Sequence, residues 1–162
     1  MCSSDLIASC TFTGMTEGAT ISLGVATSED VDDPGLEWDL LIKEADLRLA
    51  LREIRSAIDA YHRAAEEGRI ARLAGDSGYP PSLEILVDGV KDVTSPHGNQ
   101  LYFLRRIPGD PFNPDPTIPA ARSWARRSYD SPAAAPREGK DVYDIFSRST
   151  ALGINGTPYR DW

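Results

Sequence analysis

The chain has 162 residues, 41% of them hydrophobic, which is enough for one domain with its own core and too little for two. Its 25 acidic and 17 basic side chains leave a net charge of −8, without the basic excess needed to neutralise nucleic-acid phosphates. The longest apolar-leaning run, Ala19 to Ala26, is broken by Thr20, Ser22 and Gly24. A membrane span needs roughly 20 predominantly apolar residues, so no span is expected, and no secretory signal sequence is visible at the N-terminus.

The charge divides the chain in two. Residues 1–46 carry ten acidic side chains and only Lys43, a net −9, whereas residues 47–162 carry sixteen basic and fifteen acidic ones, a net +1. Cys2 and Cys10 are the only cysteines, and their spacing allows either a small disulfide or two free thiols.

In chain order, residues 11–26 read as a strand region with Ile21, Leu23 and Val25 in period-2 alternation. The acidic turn from Ser28 to Gly35 resembles the opening of a calcium loop. The twelfth position from Asp30 is Leu41, however, where such a loop requires a bidentate Glu, so the metal reading fails. Asp33 before Pro34 reads instead as a helix N-cap followed by proline at the first helical position. A long helix is expected from about Leu36 to Glu67, with Leu47, Leu51, Ile54, Ile58, Tyr61 and Ala65 forming one apolar stripe. Arg48, Arg52, Glu53, Arg55, Asp59 and Glu66 lie largely off that stripe. Gly68 is a helix stop, with room for a further turn over Arg69–Leu73.

Beyond Gly75, the Tyr79-Pro80-Pro81-Ser82 segment leads into one or two helical turns around Leu83, Leu86 and Val87, closed by Gly89. Strands are expected near 123–129 and 142–147, and the Asn155-Gly156 region is turn chemistry. Ten of the twelve prolines fall between Pro80 and Pro136, which allows only short strands and long connections. Helix first, then a small antiparallel sheet packed on it, is an α+β order.

Residues able to do chemistry are sparse. His62 sits on the long helix and His97 in a turn, neither with a partner at metal-ligand spacing, and no nucleophile elbow or phosphate-binding glycine loop occurs. Arg105-Arg106 and Arg126-Arg127, with Tyr102, Phe103 and Trp124, form a basic and aromatic set of the kind that stacks on single strands. Asp110, Asp115 and Asp130 lie close in sequence and argue against nucleic acid. Asp141, Asp144 and Asp161 read as solvated loop acids in preference to calcium ligands. No catalytic, cofactor-binding or metal-binding residue is assigned, and no enzyme activity is expected.

The helix sequence Leu51-Arg52-Glu53-Ile54-Arg55-Ser56-Ala57-Ile58-Asp59-Ala60-Tyr61 is followed by Gly78-Tyr79-Pro80-Pro81-Ser82-Leu83-Glu84-Ile85-Leu86-Val87. Leu104-Arg105-Arg106-Ile107-Pro108-Gly109-Asp110-Pro111-Phe112, Val142-Tyr143-Asp144-Ile145-Phe146-Ser147 and the ending Asn155-Gly156-Thr157-Pro158-Tyr159-Arg160-Asp161-Trp162 come next. These five segments, in this order, make residues 47–162 resemble the major pseudopilins of type II secretion. The resemblance implies a pilin-like fold, a long helix packed on a small antiparallel sheet. It also implies a structural subunit of a periplasmic pseudopilus, assembled through its N-terminal helix into a fibre that works like a piston. Implied partners are other pseudopilin subunits and secretion-machinery proteins, with the family anchored in the inner membrane and facing the periplasm. The family's calcium-binding members carry an acidic run in the last loop. Here that loop reads Ser149-Thr150-Ala151-Leu152-Gly153-Ile154, so calcium is not carried over.

The family's prepilin motif and apolar N-terminal helix have no counterpart in residues 1–46, so a soluble chain is expected. Phe12 to Ala26 and Leu40-Leu41-Ile42-Lys43-Glu44-Ala45-Asp46 instead resemble the last strand and closing helix of a diguanylate cyclase GGDEF domain, without its signature or nucleotide site. Cys2-Ser3-Ser4-Asp5-Leu6 resembles a translated sequencing adapter. Residues 1–46 are therefore expected to be a leader fused to the pseudopilin-like domain; the alternative is a divergent pseudopilin with an unusual leader. The rival functional readings are an inactive cyclase fragment and an unrecognised hydrolase.

Overall fold

The computed structural model describes residues 34–162. The strand expected over 11–26, the two cysteines, the Asp33 cap, and the adapter-like and most of the cyclase-like residues lie outside that range.

Helix α1 runs without a break from Pro34 to Glu66, 33 residues, or about 50 Å of rod. No glycine or proline interrupts the sequence between Leu36 and Glu67, and proline opens the helix where its missing N–H costs nothing. All six stripe residues are buried: Leu47 and Ile54 at 0% exposure, Ile58 at 1%, Leu51 and Ala65 at 3%, and Tyr61 at 7%. The C-terminus closes in a Schellman turn. The Arg69 N–H donates to Ala64 O at 2.9 Å and the Gly68 N–H to Ala65 O at 3.2 Å, with Gly68 at φ 72°. That turn reverses the chain, so the further helical turn expected over Arg69–Leu73 does not form. Ile70 is buried on the way back, and Arg69 O accepts a hydrogen bond from Val93 N.

The rest of the chain wraps this rod in short elements: α2 (Ile85–Asp88), β1 (Val90–Lys91), β2 (Gln100–Leu101), α3 (Ala120–Ser123), β3 (Trp124–Arg127), β4 (Asp144–Ser147) and a 3-10 turn, Tyr159–Asp161. Strand β1 pairs antiparallel with β2 (Val90 opposite Leu101), and β3 with β4 (Trp124 opposite Ser147, Arg127 opposite Asp144). The class is α+β, with two separate two-stranded ladders in place of one small sheet. Proline density explains the fragmentation, since each proline removes a ladder donor and fixes φ.

Leu83, Leu86 and Leu104 from the middle of the chain, and Trp124, Val142, Ile145 and Tyr159 from its last third, complete the core over the α1 stripe. Gly89 ends α2 at φ 84°, and a Cβ there would meet the Tyr102 ring at 2.7 Å, so only glycine fits. Among the described residues no helix is long and apolar enough to cross a membrane.

Candidate functional site

Among the described residues four carboxylates are almost completely buried: Glu44, Asp92, Asp110 and Asp141, at 3 to 6% exposure. A buried carboxylate is tolerable only when hydrogen-bonded, and each of these serves as the node of a loop. Asp141 accepts from Ser77 Oγ (2.5 Å), Ser128 Oγ (2.8 Å) and Tyr129 N (2.8 Å). Burial pushes its pKa up, but these donors outweigh it and hold the group below the usual carboxylate value. Asp92 accepts from Thr94 and from Arg69 at 2.8 and 3.1 Å; the Thr94 hydroxyl, then Arg69, draw its pKa down to about 2. Asp110 accepts from Ser147 Oγ at 2.6 Å and Phe112 N at 2.9 Å.

The expectation that Asp141, Asp144 and Asp161 are solvated loop acids is therefore corrected for two of the three. Asp141 is buried among hydroxyls, and Asp144 bonds Arg55 Nε at 2.8 Å; Asp161 alone is exposed, 3.6 Å from Arg160. Among the described residues no three His, Cys, Asp or Glu side chains are grouped to hold a metal. Ser77 and Ser128, which explain Asp141, lie 64 and 13 residues away from it, and no local spacing marks them.

The histidines have separate settings. His62 stacks on Tyr79 with ring centroids 4.1 Å apart and stands 3.7 Å from Glu66, while His97 is exposed in its turn. Tyr79 continues the stack to Tyr129 at 5.5 Å and meets the edge of Tyr143 at 4.9 Å. The basic and aromatic set is broken up. Trp124 is fully buried, donating its indole N–H to Pro108 O at 2.8 Å, Arg126 pairs with Glu138, and Arg127 lies against the Tyr143 ring. Trp124 is thus a core residue with no face left for a base.

Two surface features remain. The outer side of α1 carries Trp38, Ile42 and Leu49 at 66, 56 and 60% exposure, on one line with Ala45 at helical spacing. Arg48, Arg52 and Arg55 run along one flank of that line, and Asp39, Asp46 and Glu53 along the other.

The second is a cleft centred on Arg55. Its Nε donates to Asp144, Nη1 to Trp162 O at 2.9 Å and Nη2 to Ile145 O at 3.0 Å. On one side lies a hollow of about 510 Å³ walled by Arg48, Arg52, Asn155 and Trp162. On the other lies one of about 380 Å³ walled by Arg127, Phe146, Arg160 and Trp162. A third, of about 210 Å³, opens towards Tyr79 and Tyr143. Arg48 covers the Trp162 ring, its guanidinium carbon 4.3 Å from the centroid.

The chain's last loop is fastened beside this cleft. Glu44 Oε1 accepts from Ile154 N at 2.7 Å and from Tyr159 Oη at 3.0 Å. Burial, then the bond to Glu44, raise the Tyr159 pKa to about 12. Gly153 threads the space between Glu44 and Trp162, where a Cβ would meet the Trp162 ring at 2.6 Å. Glu44 belongs to the cyclase-like 40–46 segment of the sequence, yet α1 carries it straight into the packing of residues 47–162. No protein-family model matches this chain, and neither a curated protein nor a solved structure is significantly similar to it.

Proposed function

We propose that this protein is a structural subunit of a type II secretion pseudopilus, built around residues 47–162 and without catalysis of its own. The observation that carries the reading is the outer side of α1. An exposed apolar line with basic residues on one flank and acidic residues on the other is satisfied when like helices pack side by side and parallel. In a parallel pair the right flank of one helix faces the left flank of the next, so opposite charges meet; an antiparallel pair sets like against like. Buried loop carboxylates that only stiffen the domain, and a histidine occupied in an aromatic stack, also fit a building block better than a hydrolase. In this reading the partners are further pseudopilin subunits and secretion-machinery proteins, and the domain faces the periplasm.

The test joins a prepilin leader and transmembrane helix to residues 34–162 in a strain lacking its major pseudopilin. Membrane insertion and a ladder of cross-linked multimers are expected, and Leu49→Asp with Glu53→Arg should erase the ladder while leaving insertion intact. A membrane-inserted protein that cross-links only as a monomer would sink the proposal.

A further inference from the structure

We infer that the cleft around Arg55 is a docking site for an extended, carboxylate-rich segment of a partner protein. The inference does not need the fibre reading, although the cleft shares Arg48, Arg52 and Arg55 with the basic flank of α1.

Charge is the first argument. The three adjoining hollows are lined by five guanidinium groups, Arg48, Arg52, Arg55, Arg127 and Arg160, against the side-chain carboxylates Asp59, Asp144 and Asp161 and the α-carboxyl group of Trp162, one oxygen of which Arg55 holds. Residues 34–162 as a whole carry 17 basic and 19 acidic side chains, so the excess of positive charge is local to the cleft. Those three side-chain carboxylates do not neutralise it evenly. Asp144 is taken by Arg55 and approached by Arg127, and Asp161 by Arg160, whereas Arg52 has no ion pair among the described residues. Arg48 reaches Glu44 only at 3.7 Å, with its head 57% exposed.

Unused donors are the second. Arg127 Nε and Trp162 Nε1 are buried without an acceptor among the described residues. A buried donor left unpaired is destabilising, and an incoming acceptor relieves that loss. Both side chains line the same hollow, where a small rotation towards an incoming carboxylate supplies what they lack.

Shape decides the class of ligand. The hollows are open, adjoin one another and share Arg55 and Trp162 as walls, which suits a chain laid across them better than an enclosed small molecule. Arg48 and Arg52 are one helical turn apart, about 6 Å, and alternate side chains of an extended strand repeat at about 6.7 Å. Successive acidic residues at alternate positions therefore meet successive guanidiniums. Arginine and tryptophan are also the residue types that carry most binding energy at protein interfaces, through planar charge and large rigid area.

The experiment is a titration of the isotope-labelled full chain, followed by NMR, with a capped heptapeptide of alternating serine and glutamate. The indole N–H of Trp162, assigned through Trp162→Phe, and the Nε–H signals of Arg48 and Arg52 should shift. Affinity should fall steeply as salt screens the pairs. Arg48→Glu with Arg52→Glu should weaken binding by about tenfold or more, equivalent to about 1.4 kcal/mol. Arg105→Glu with Arg106→Glu, the same charge change at exposed positions outside the cleft, should not. Three results would overturn the inference: cleft signals that do not move, equal loss in both double variants, or citrate binding there as tightly as the peptide. The last would mark a small-anion site.

Discussion

Replacing Glu44 with alanine tests whether the N-terminal half of α1 belongs to the same folding unit as the last loop. Glu44 is 3% exposed, and its Oε1 holds the Tyr159 hydroxyl and the Ile154 amide, more than a hundred residues along the chain. Tyr159 is itself 1% exposed, so its hydroxyl loses its acceptor with no water to replace it, at about 1–3 kcal/mol. Ile154 is at the surface and its amide recovers part of its loss from solvent. The two together come to about 2–4 kcal/mol, a large part of a typical stability of about 5–15 kcal/mol. Glu44→Gln keeps a carbonyl oxygen in the same place and should cost about 1 kcal/mol, because the bonds become neutral. Tyr159→Phe removes one donor and leaves the Ile154 bond. A double-mutant cycle between Glu44→Ala and Tyr159→Phe should return a coupling of about 1–2 kcal/mol. Urea unfolding followed by far-ultraviolet circular dichroism gives the stabilities, and amide exchange at Ile154 should accelerate in Glu44→Ala alone. If Glu44→Ala unfolds at the parent's urea midpoint, the 40–46 segment is not fastened to the domain and the reasoning fails.

Ile58→Asp places a carboxylate at a position 1% exposed on the core side of α1. Lost apolar burial plus an unpaired charge should cost several kcal/mol, and an unchanged melting temperature would mean that the stripe does not face the core. A chain beginning at Asp33 should retain one cooperative unfolding transition, since residues 34–162 contain the whole cluster described above; a broad, non-cooperative melt would show that the preceding residues complete the core. Asp92 titrates at about 2 in the folded state against 3.8 otherwise, so its contribution is complete above pH 4 and disappears as the pH falls towards 2; in Asp92→Asn that acid-dependent part of the stability profile should be missing. Tyr159 titrates at about 12 against 10.0, so the folded state keeps a proton the unfolded state has lost, and stability should fall between pH 10 and pH 12 in the parent and less so in Tyr159→Phe.

What the sequence made legible was what repeats locally. The α1 stripe recurs every three to four residues over five turns, and all six of its members are buried. Strands β3 and β4 lie within the expected stretches 123–129 and 142–147. Ladders of two residues each, such as β1 and β2, are shorter than any period and left no trace. Arg69–Leu73 misled because nothing in its composition forbids a further helical turn, while Gly68 had already turned the chain. Buried carboxylates were the least legible. Asp141 and Glu44 look like surface residues until Ser77, Ser128 and Tyr159 arrive from elsewhere in the chain. The cleft has the same character: Arg48, Arg52 and Arg55 share a helix flank visible in the sequence, but Arg127, Arg160 and Trp162 join them only through the fold.

The polar anchors of α1 also determine how its two surfaces communicate. Glu44 ties the helix to residues 154 and 159, and Arg55, three turns further on, ties it to Asp144, Ile145 and Trp162. Between them the buried stripe leaves no freedom for the helix to roll against the loops, since rolling would expose Leu47, Leu51 and Ile54 together. The arginines of the cleft and the apolar line on the outer side are thus carried by one rigid rod, at a fixed angle to each other. A ligand that pulls on Arg55 acts on the same bonds that hold the last loop to the helix, because Trp162 O and Asp144 share that guanidinium. Arg55 therefore stands where the outer side of α1 meets the cleft, held by three acceptors that fasten the last loop to the helix. Arg55→Lys keeps the charge but cannot span three acceptors from one planar group, and so should loosen the last loop without unfolding α1.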